Sequence, residues 1–446
     1  MAQVHQSTIF QEGHELRHCA LFSTDTSRGV PQELLKLELE KSSSPETTSA
    51  PSCFLDSVRS FRGEGKQTLE LEQGGISFFT GEFWTARQRQ GHRLHEVSYR
   101  ACFKPQLPEF FISRLTKPGQ VVYDPFMGRG TTVLQAALMN RKGVGVDINP
   151  LSILLTKPRL SPPCLREIEE RLLEIDLGTD IDTPEDLLVF FHPKTLRALC
   201  NLRSWFSGRS RAGEIDSVDE WILMVALNRL TGHSSGFFSV YTLPPNQAVS
   251  VKSQRKINEK RNQIPPERDV RAIILKKSRI LLKDGVPNSK LNHRLHTASA
   301  SDAHMLPDGS VDLIVTSPPF MDIVQYSSDN WMRLWFSDID PSSISIAMHK
   351  SEEDWRKFIF ECFSDFARVV RPGGKIAFEV GEIRGGKVNL ESLVISAVEG
   401  LPFDVMGVLV NSQQFTKTAN IWGVSNNIKG TNTNRIVVLE RNYCGC

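Results

Sequence analysis

The chain of 446 residues is long enough for one large or two ordinary domains with a sizeable core. Its 40% hydrophobic and 23% charged residues are the balance of a globular protein, and no apolar run reaches the length of a membrane-spanning helix. A net charge of +2 excludes binding to nucleic acid through a whole-molecule field, so any such role must rest on local patches. The eight cysteines include no CxxC pair, which argues against a zinc site or a disulfide framework. Together with an N-terminus, MAQVHQSTIFQEGHEL, that lacks a signal-peptide core, they point to a reducing cytoplasm.

Residues 1–70 are weakly patterned, and SSSPETTSAPS (42–52) reads as a solvated linker, so a flexible N-terminal segment is expected. Over residues 74–115 aromatic and basic residues mix, and Pro108–Leu115 suits a short amphipathic helix. VVYDPF (121–126) is a strand, MGRG a turn, TTVLQAALMN (131–140) a helix and GVGVDINP (143–150) a second strand: a βαβ unit. Residues 158–291 interrupt the alternation with helical patterns at 184–206 and 218–230, then a polar segment at 232–270. From residue 292 the rhythm resumes. Strands are expected at 294–300, 311–319, 375–382, 403–415 and 434–442, with helices at 352–370 and 390–400. This order predicts an α/β fold with a doubly wound, mostly parallel sheet, its two parts (71–157 and 292–446) separated by a largely helical inserted region.

In DPFMGRGTT, Gly128 and Gly130 let the backbone approach a ligand, and the next helix offers free amides. The turn is neither GxGxxG nor a Walker loop, which disfavours a pyrophosphate. A lone glycine pair is usually only a tight turn. Here Asp147 closes the second strand, where a carboxylate can accept from a ribose diol, and Asp302 follows the third, where it can accept from an adenine amine. Two acids at successive strand ends favour a nucleoside cofactor.

The strand VDLIVT (311–316) runs into Ser317, Pro318, Pro319 and Phe320. Prolines can simply end a strand, because they lack the ladder donor. At the carboxyl end of a parallel strand, however, the Ser317 hydroxyl and the Pro318 carbonyl are two rigid acceptors suited to an exocyclic NH2 group. Phe320 can stack on the ring that carries it. A base in a duplex would have to flip out to reach them.

DPFMGRGTT and TSPPF together resemble the amino-methyltransferases of DNA, and the S-P-P-F form resembles their cytosine-N4 type. The likeness extends over most of residues 95–440. It implies a seven-stranded Rossmann-like methyltransferase sheet, S-adenosylmethionine as cofactor and double-stranded DNA as substrate. It leaves room for a cognate restriction endonuclease acting on the same site. By the resemblance, the turn from Phe126 through Gly128 to Gly130 holds the methionine part of the cofactor, Asp147 the ribose and Asp302 the adenine, with Asp124, Pro125 and Thr131 also among the cofactor-binding residues. Ser317, Pro318, Pro319 and Phe320 form the catalytic loop, and displacement at the sulfonium methyl is direct. Adenine-N6 and RNA amino-methyltransferases remain alternatives, as does a silent nucleic-acid-binding protein on the same fold. The chain departs from the familiar pattern in the roughly 130 residues between the second and third strands; reading 158–291 as the target-recognition region rests on size.

Carbon-5 methylation would need a cysteine nucleophile, but Cys164 of SPPCL (161–165) follows the wrong strand and is expected to be a structural thiol. Lys252, Arg255, Lys256, Lys260 and Arg261 make a basic cluster that suits phosphate contacts as well as an ordinary solvated helix face. RQRQGHR (87–93) is a second basic candidate. His92, His95 and His233 lack ligand spacing and read as polar surface or DNA contacts, so no metal is expected. Trp331 and Trp335 have helical spacing, which suits either a core stripe or the wall of a base pocket.

Overall fold

The structure is a computed structural model describing residues 54–443, except 64, 85–90, 100–101, 243–247, 320–325, 345–348, 350, 384–387 and 413–432. Phe320, residues 1–53 and most of RQRQGHR therefore lie outside the described residues.

Seven strands occur where apolar runs predict them: β3 (Val121–Asp124), β4 (Lys142–Asp147), β5 (Arg294–Thr297), β6 (Val311–Thr316), β7 (Val370–Val380), β8 (Phe403–Ser412) and β9 (Thr433–Arg441). The sheet has nine strands rather than seven, because a hairpin of β1 (Leu69–Gln73) and β2 (Ile76–Gly81) joins its edge beside β8. Its order is β1-β2-β8-β9-β7-β6-β3-β4-β5. The ladders from β7 through β6, β3 and β4 to β5 are parallel, whereas β9 runs antiparallel to both β7 and β8. The expected flexible segment ends sooner than residue 70, since Phe54–Arg59 is helix α1 and β1 begins at Leu69. The hairpin hides from pattern reading because every residue of β1 is exposed, so nothing along it alternates.

Successive side chains of a strand face opposite sides. Tyr123, Ile314, Ile376 and Phe378 face one layer, with Trp355, Ile359, Phe363 and Phe366 of α11 (Glu352–Val369) and Val394 of α12 (Leu390–Val398). Val122, Leu313, Val315 and Ala377 face the other, with Phe110 and Phe111 of α2 (Gln106–Leu115) and Ala136 of α3 (Thr131–Leu138). Helices on both faces make the sheet doubly wound.

A third core joins α4 (Leu151–Leu160) to the inserted helices: α5 (Leu165–Glu174), α6 (Pro193–Ala212), α7 (Ser217–Leu227), α8 (Val251–Arg261) and α9 (Val270–Leu281). α4 runs through residue 158, so the insertion begins after it. The helix expected over 184–206 is broken at His192, which is extended (ψ 146) ahead of Pro193. A residue preceding proline is pushed out of the helical region, and proline suits the first helical position. α10 (Tyr326–Phe336) packs with the insertion: Met332, Leu334 and Phe336 are buried there and Trp331 and Trp335 half-buried. Among the described residues, no helix is long and apolar enough to cross a membrane.

From β3 the chain winds outward through β4 to β5, then returns to the other side of β3 as β6. The crevice at the carboxyl ends of β3 and β6 is thus a topological switch point, where such sheets take ligands.

Candidate active site

DPF leaves β3 and TSPPF leaves β6, so the switch point brings the two motifs together. The Thr316 hydroxyl donates to the Asp124 carboxylate at 2.6 Å, and Thr132 Oγ1 donates to the Val315 carbonyl at 3.0 Å. Asp124 is 1% exposed, and burial pushes its pKa up to about 7. Its carboxylate, expected among the cofactor ligands, accepts from Thr316 at 2.6 Å and from the Phe126 amide at 3.2 Å. Pro125 and Thr131 are buried beside it, and Phe126 is half-buried.

Gly128 and Gly130 both adopt left-handed backbone, with φ of 50° and 73°. A Cβ on Gly130 would lie 2.3 Å from the Thr156 side chain of α4, so only glycine fits there. The Gly128 amide donates to Asp147 at 2.8 Å, and the Asn149 amide does so at the same distance. Burial raises the pKa of Asp147 against these bonds. A carboxylate has about four lone-pair sites, so Asp147 keeps acceptor capacity for a diol. Two guanidiniums hold the segment before β3 over the turn. Arg129 donates to the Val97 and Phe103 carbonyls at 2.7 and 3.2 Å, and buried Arg159 to Leu94 at 3.1 Å. Burial lowers the pKa of Arg159 to about 9.

Ser317 is half-buried and lies near enough to Glu379 of β7, a residue that the sequence reading did not single out, to draw its pKa down. Glu379 is 6% exposed, accepts from Asn434 Nδ2, and is pushed by burial to a pKa of about 7. Its one signal in the sequence is an acid inside the apolar run KIAFEV (375–380). Pro318 is buried, and the Pro319 carbonyl accepts from Trp355 Nε1 at 3.0 Å. The loop after β5 joins the site through the Ala298 amide, which donates to the Asp147 carbonyl at 3.1 Å. Asp302 stands exposed on that loop, 3.1 Å from His304 Nδ1.

Lys252, Arg255, Lys256, Lys260 and Arg261 are all exposed on α8, and none forms an ion pair among the described residues. Arg261 lies over the Tyr241 ring at 3.8 Å. In the second basic candidate, the described Arg93 pairs with Asp284 and Glu96. His95, expected as polar surface, is buried against Gln135 at 2.9 Å, and burial lowers its pKa to about 3. Cys164, expected as a structural thiol, is exposed at the N-terminus of α5. The described residues hold no cluster suited to a metal ion.

Residues 61–157 match the DNA methylase family. The chain is 34% identical over 89 residues to the Type II methyltransferase M.MjaII of Methanocaldococcus jannaschii, covering 20% of this chain and 16% of that one. It is 19% identical over 291 residues to the Type II methyltransferase M.BsoBI of Geobacillus stearothermophilus, covering 56% and 53%. The chain thus spans about half or less of the length of these curated relatives. A solved rRNA methylase from Streptococcus thermophilus shares 9% identity at a TM-score of 0.30, over 77% of this chain and 99% of that one. The glycine turn, Asp147 and the strand before them all fall within the matched residues. Over that stretch the chain is similar to the DNA methylases.

Proposed function

We propose that this protein methylates the N4 amine of cytosine in duplex DNA, acting on a base flipped out of the stack. The observation that carries the reading is the meeting of the two motifs at the strand ends, where the Thr316 hydroxyl before Ser317 donates to Asp124 before the glycine turn at 2.6 Å. S-adenosylmethionine supplies an electrophilic sulfonium methyl when bound. The Gly128–Gly130 turn would hold its methionine part and Asp147 its ribose, with Asp302 assigned to the adenine by resemblance. Glycines that leave the turn free of side chains, and an acid with spare acceptor sites, fit that group.

The Ser317 hydroxyl and the Pro318 carbonyl accept from the amine and orient it. The proton that the amine loses passes to Ser317 Oγ as the hydroxyl proton moves to Glu379. Phe320 is proposed to stack on the base. A carboxyl with a pKa of about 7 can take up and release that proton near neutrality. The choice of cytosine over adenine rests on Ser317, where the adenine enzymes carry an acid or amide more often.

The test is incubation with tritiated S-adenosylmethionine and mixed-sequence duplex DNA, followed by digestion to nucleosides. Label in N4-methylcytosine is expected. Label in N6-methyladenine or 5-methylcytosine overturns the base assignment, and no label on any DNA or RNA supports a silent binding protein. Ser317→Ala should lower turnover far more than cofactor affinity, and Asp147→Ala should do the reverse. Equal effects on both would refute this division of roles.

We assign target recognition to the inserted region (158–291) and phosphate contact to the basic face of α8. Replacing Lys256 and Lys260 by glutamine should weaken DNA binding on all sequences, leave cofactor binding intact and reduce the salt slope of log affinity by about 2. An unchanged slope would place the interface elsewhere. A restriction endonuclease reading the same sequence is the proposed partner, by likeness to the Type II relatives.

A further inference from the structure

Helix α11 touches each of the three strand-end loops from which the site is built. Near its start the buried Trp355 indole donates to the Pro319 carbonyl at 3.0 Å. About one turn later Phe358 packs on Phe126 of the glycine turn, with ring centroids 5.9 Å apart. Towards the other end Asp365 accepts from the Ala303 amide at 3.0 Å, and Arg368 donates to the Ala303 carbonyl at 2.8 Å. The helix is anchored on the sheet, with Ile359, Phe363 and Phe366 fully buried against the strands.

The backbone explains why Trp355 matters most. In Ser317-Pro318-Pro319 both proline rings lock φ, and a residue before proline is confined to extended ψ. Ser317 and Pro318 both precede a proline, so their torsions are restricted without outside help. The torsion left open is ψ of Pro319, and it orients the carbonyl that Trp355 holds. The same indole is rooted in a helix that grips the glycine turn and the loop of Asp302. Acceptor arm and donor pocket therefore share one rigid support.

We propose that Trp355 is a positioning residue for methyl transfer. By pinning Pro319 it completes the rigid acceptor arm, and through α11 it keeps that arm in register with the loops that would hold the methyl donor. The inference rests on the reading of TSPPF as the acceptor loop. Its energetic logic is that in-line displacement demands alignment, and a misplacement of about 1 Å can cost on the order of 10²-fold in rate.

The experiment compares Trp355→Phe, which removes the N–H but keeps an aromatic ring, with Phe363→Leu, a packing change in the same helix. Trp355→Phe is expected to lower kcat by about 10²-fold with cofactor Kd and the KM for DNA unchanged. Phe363→Leu should lower thermal stability and leave kcat alone. Asp365→Asn, on the Ala303 side of the helix, should weaken cofactor binding and spare kcat at saturation. If Trp355→Phe does not fold, benzothienylalanine at position 355 keeps the indole shape without its donor and is expected to give the same loss. Wild-type kcat in the donor-free protein overturns the inference, as does an equal kcat loss in Phe363→Leu. A wild-type protein that transfers no methyl group removes the functional reading and this inference with it. Transfer by the wild type with an unaffected Trp355 variant removes the inference alone.

Discussion

Glu379→Gln should abolish most methyl transfer, by roughly 10²–10⁴-fold, while cofactor binding stays at the wild-type level. Glutamine has nearly the same shape and can still accept from Asn434, so the fold around β7 should persist. What it cannot do is take a proton. In the wild type the carboxyl is protonated below about pH 7 and free above it, so turnover should rise through that pH. The variant should lose this limb along with its rate. Turnover that stays high, or a pH limb that survives at full amplitude, would remove Glu379 from the proton path.

The same group makes a stability prediction of fixed sign. Burial raises the folded-state pKa of Glu379 from 4.5 to about 7. Between those values the folded protein keeps a proton that the unfolded chain has released. The stabilising contribution is therefore complete below the unfolded value and is lost as pH rises through about 7. Its size is on the order of 3 kcal/mol. Asp124 acts in the same direction, from 3.8 to about 7. Denaturant unfolding on either side of neutrality should show stability falling with pH, and Glu379→Gln should flatten part of that slope. A slope unchanged in the variant would assign the effect to other groups.

Asp219→Ala is expected to be the most damaging change in the inserted region. Its carboxylate, with no exposure, accepts from Arg171 Nη1 at 2.6 Å, Arg209 Nε at 2.8 Å and Trp205 Nε1 at 3.2 Å. Those donors come from α5 and α6, so one side chain of α7 ties three helices together. Removing one partner of a buried ion pair typically costs about 3–5 kcal/mol, because the remaining charges stay desolvated and unpaired. Arg171 keeps Asp216 at 2.8 Å, which should hold the loss toward the lower end. DNA binding should fail at a lower temperature than cofactor binding, since the glycine turn and Asp147 sit on the sheet. Calorimetric melting of the variant with and without S-adenosylmethionine checks this, and an unchanged melting profile would refute it.

How much of this could be read in advance depended on whether a residue's role follows from its neighbours in the chain. The seven predicted strands are local apolar runs between turns, and DPFMGRG declares its turn through glycines whose positive φ the structure then requires. The α1 helix, the exposed β1 strand and the break at His192 were less legible. The first is only six residues long, the second lacks a periodic apolar face, and the third is a one-residue conformational effect inside a continuous helical composition. His95 misled because a histidine buried on glutamine looks in sequence like one in solvent.

By itself, then, the sequence determined the fold class, the two motifs and the acids that end their strands, since each is encoded within a few consecutive residues. Only the tertiary structure decided how those pieces act on one another. It set Thr316 of one motif on Asp124 of the other, turned Glu379 toward Ser317, and placed the Trp355 donor on Pro319. Those contacts join residues between 36 and 192 positions apart, across strands whose neighbours are fixed by sheet order. The pKa values of about 7 at Asp124 and Glu379 arise in the same way, because desolvation is a property of the packed core and not of any stretch of chain.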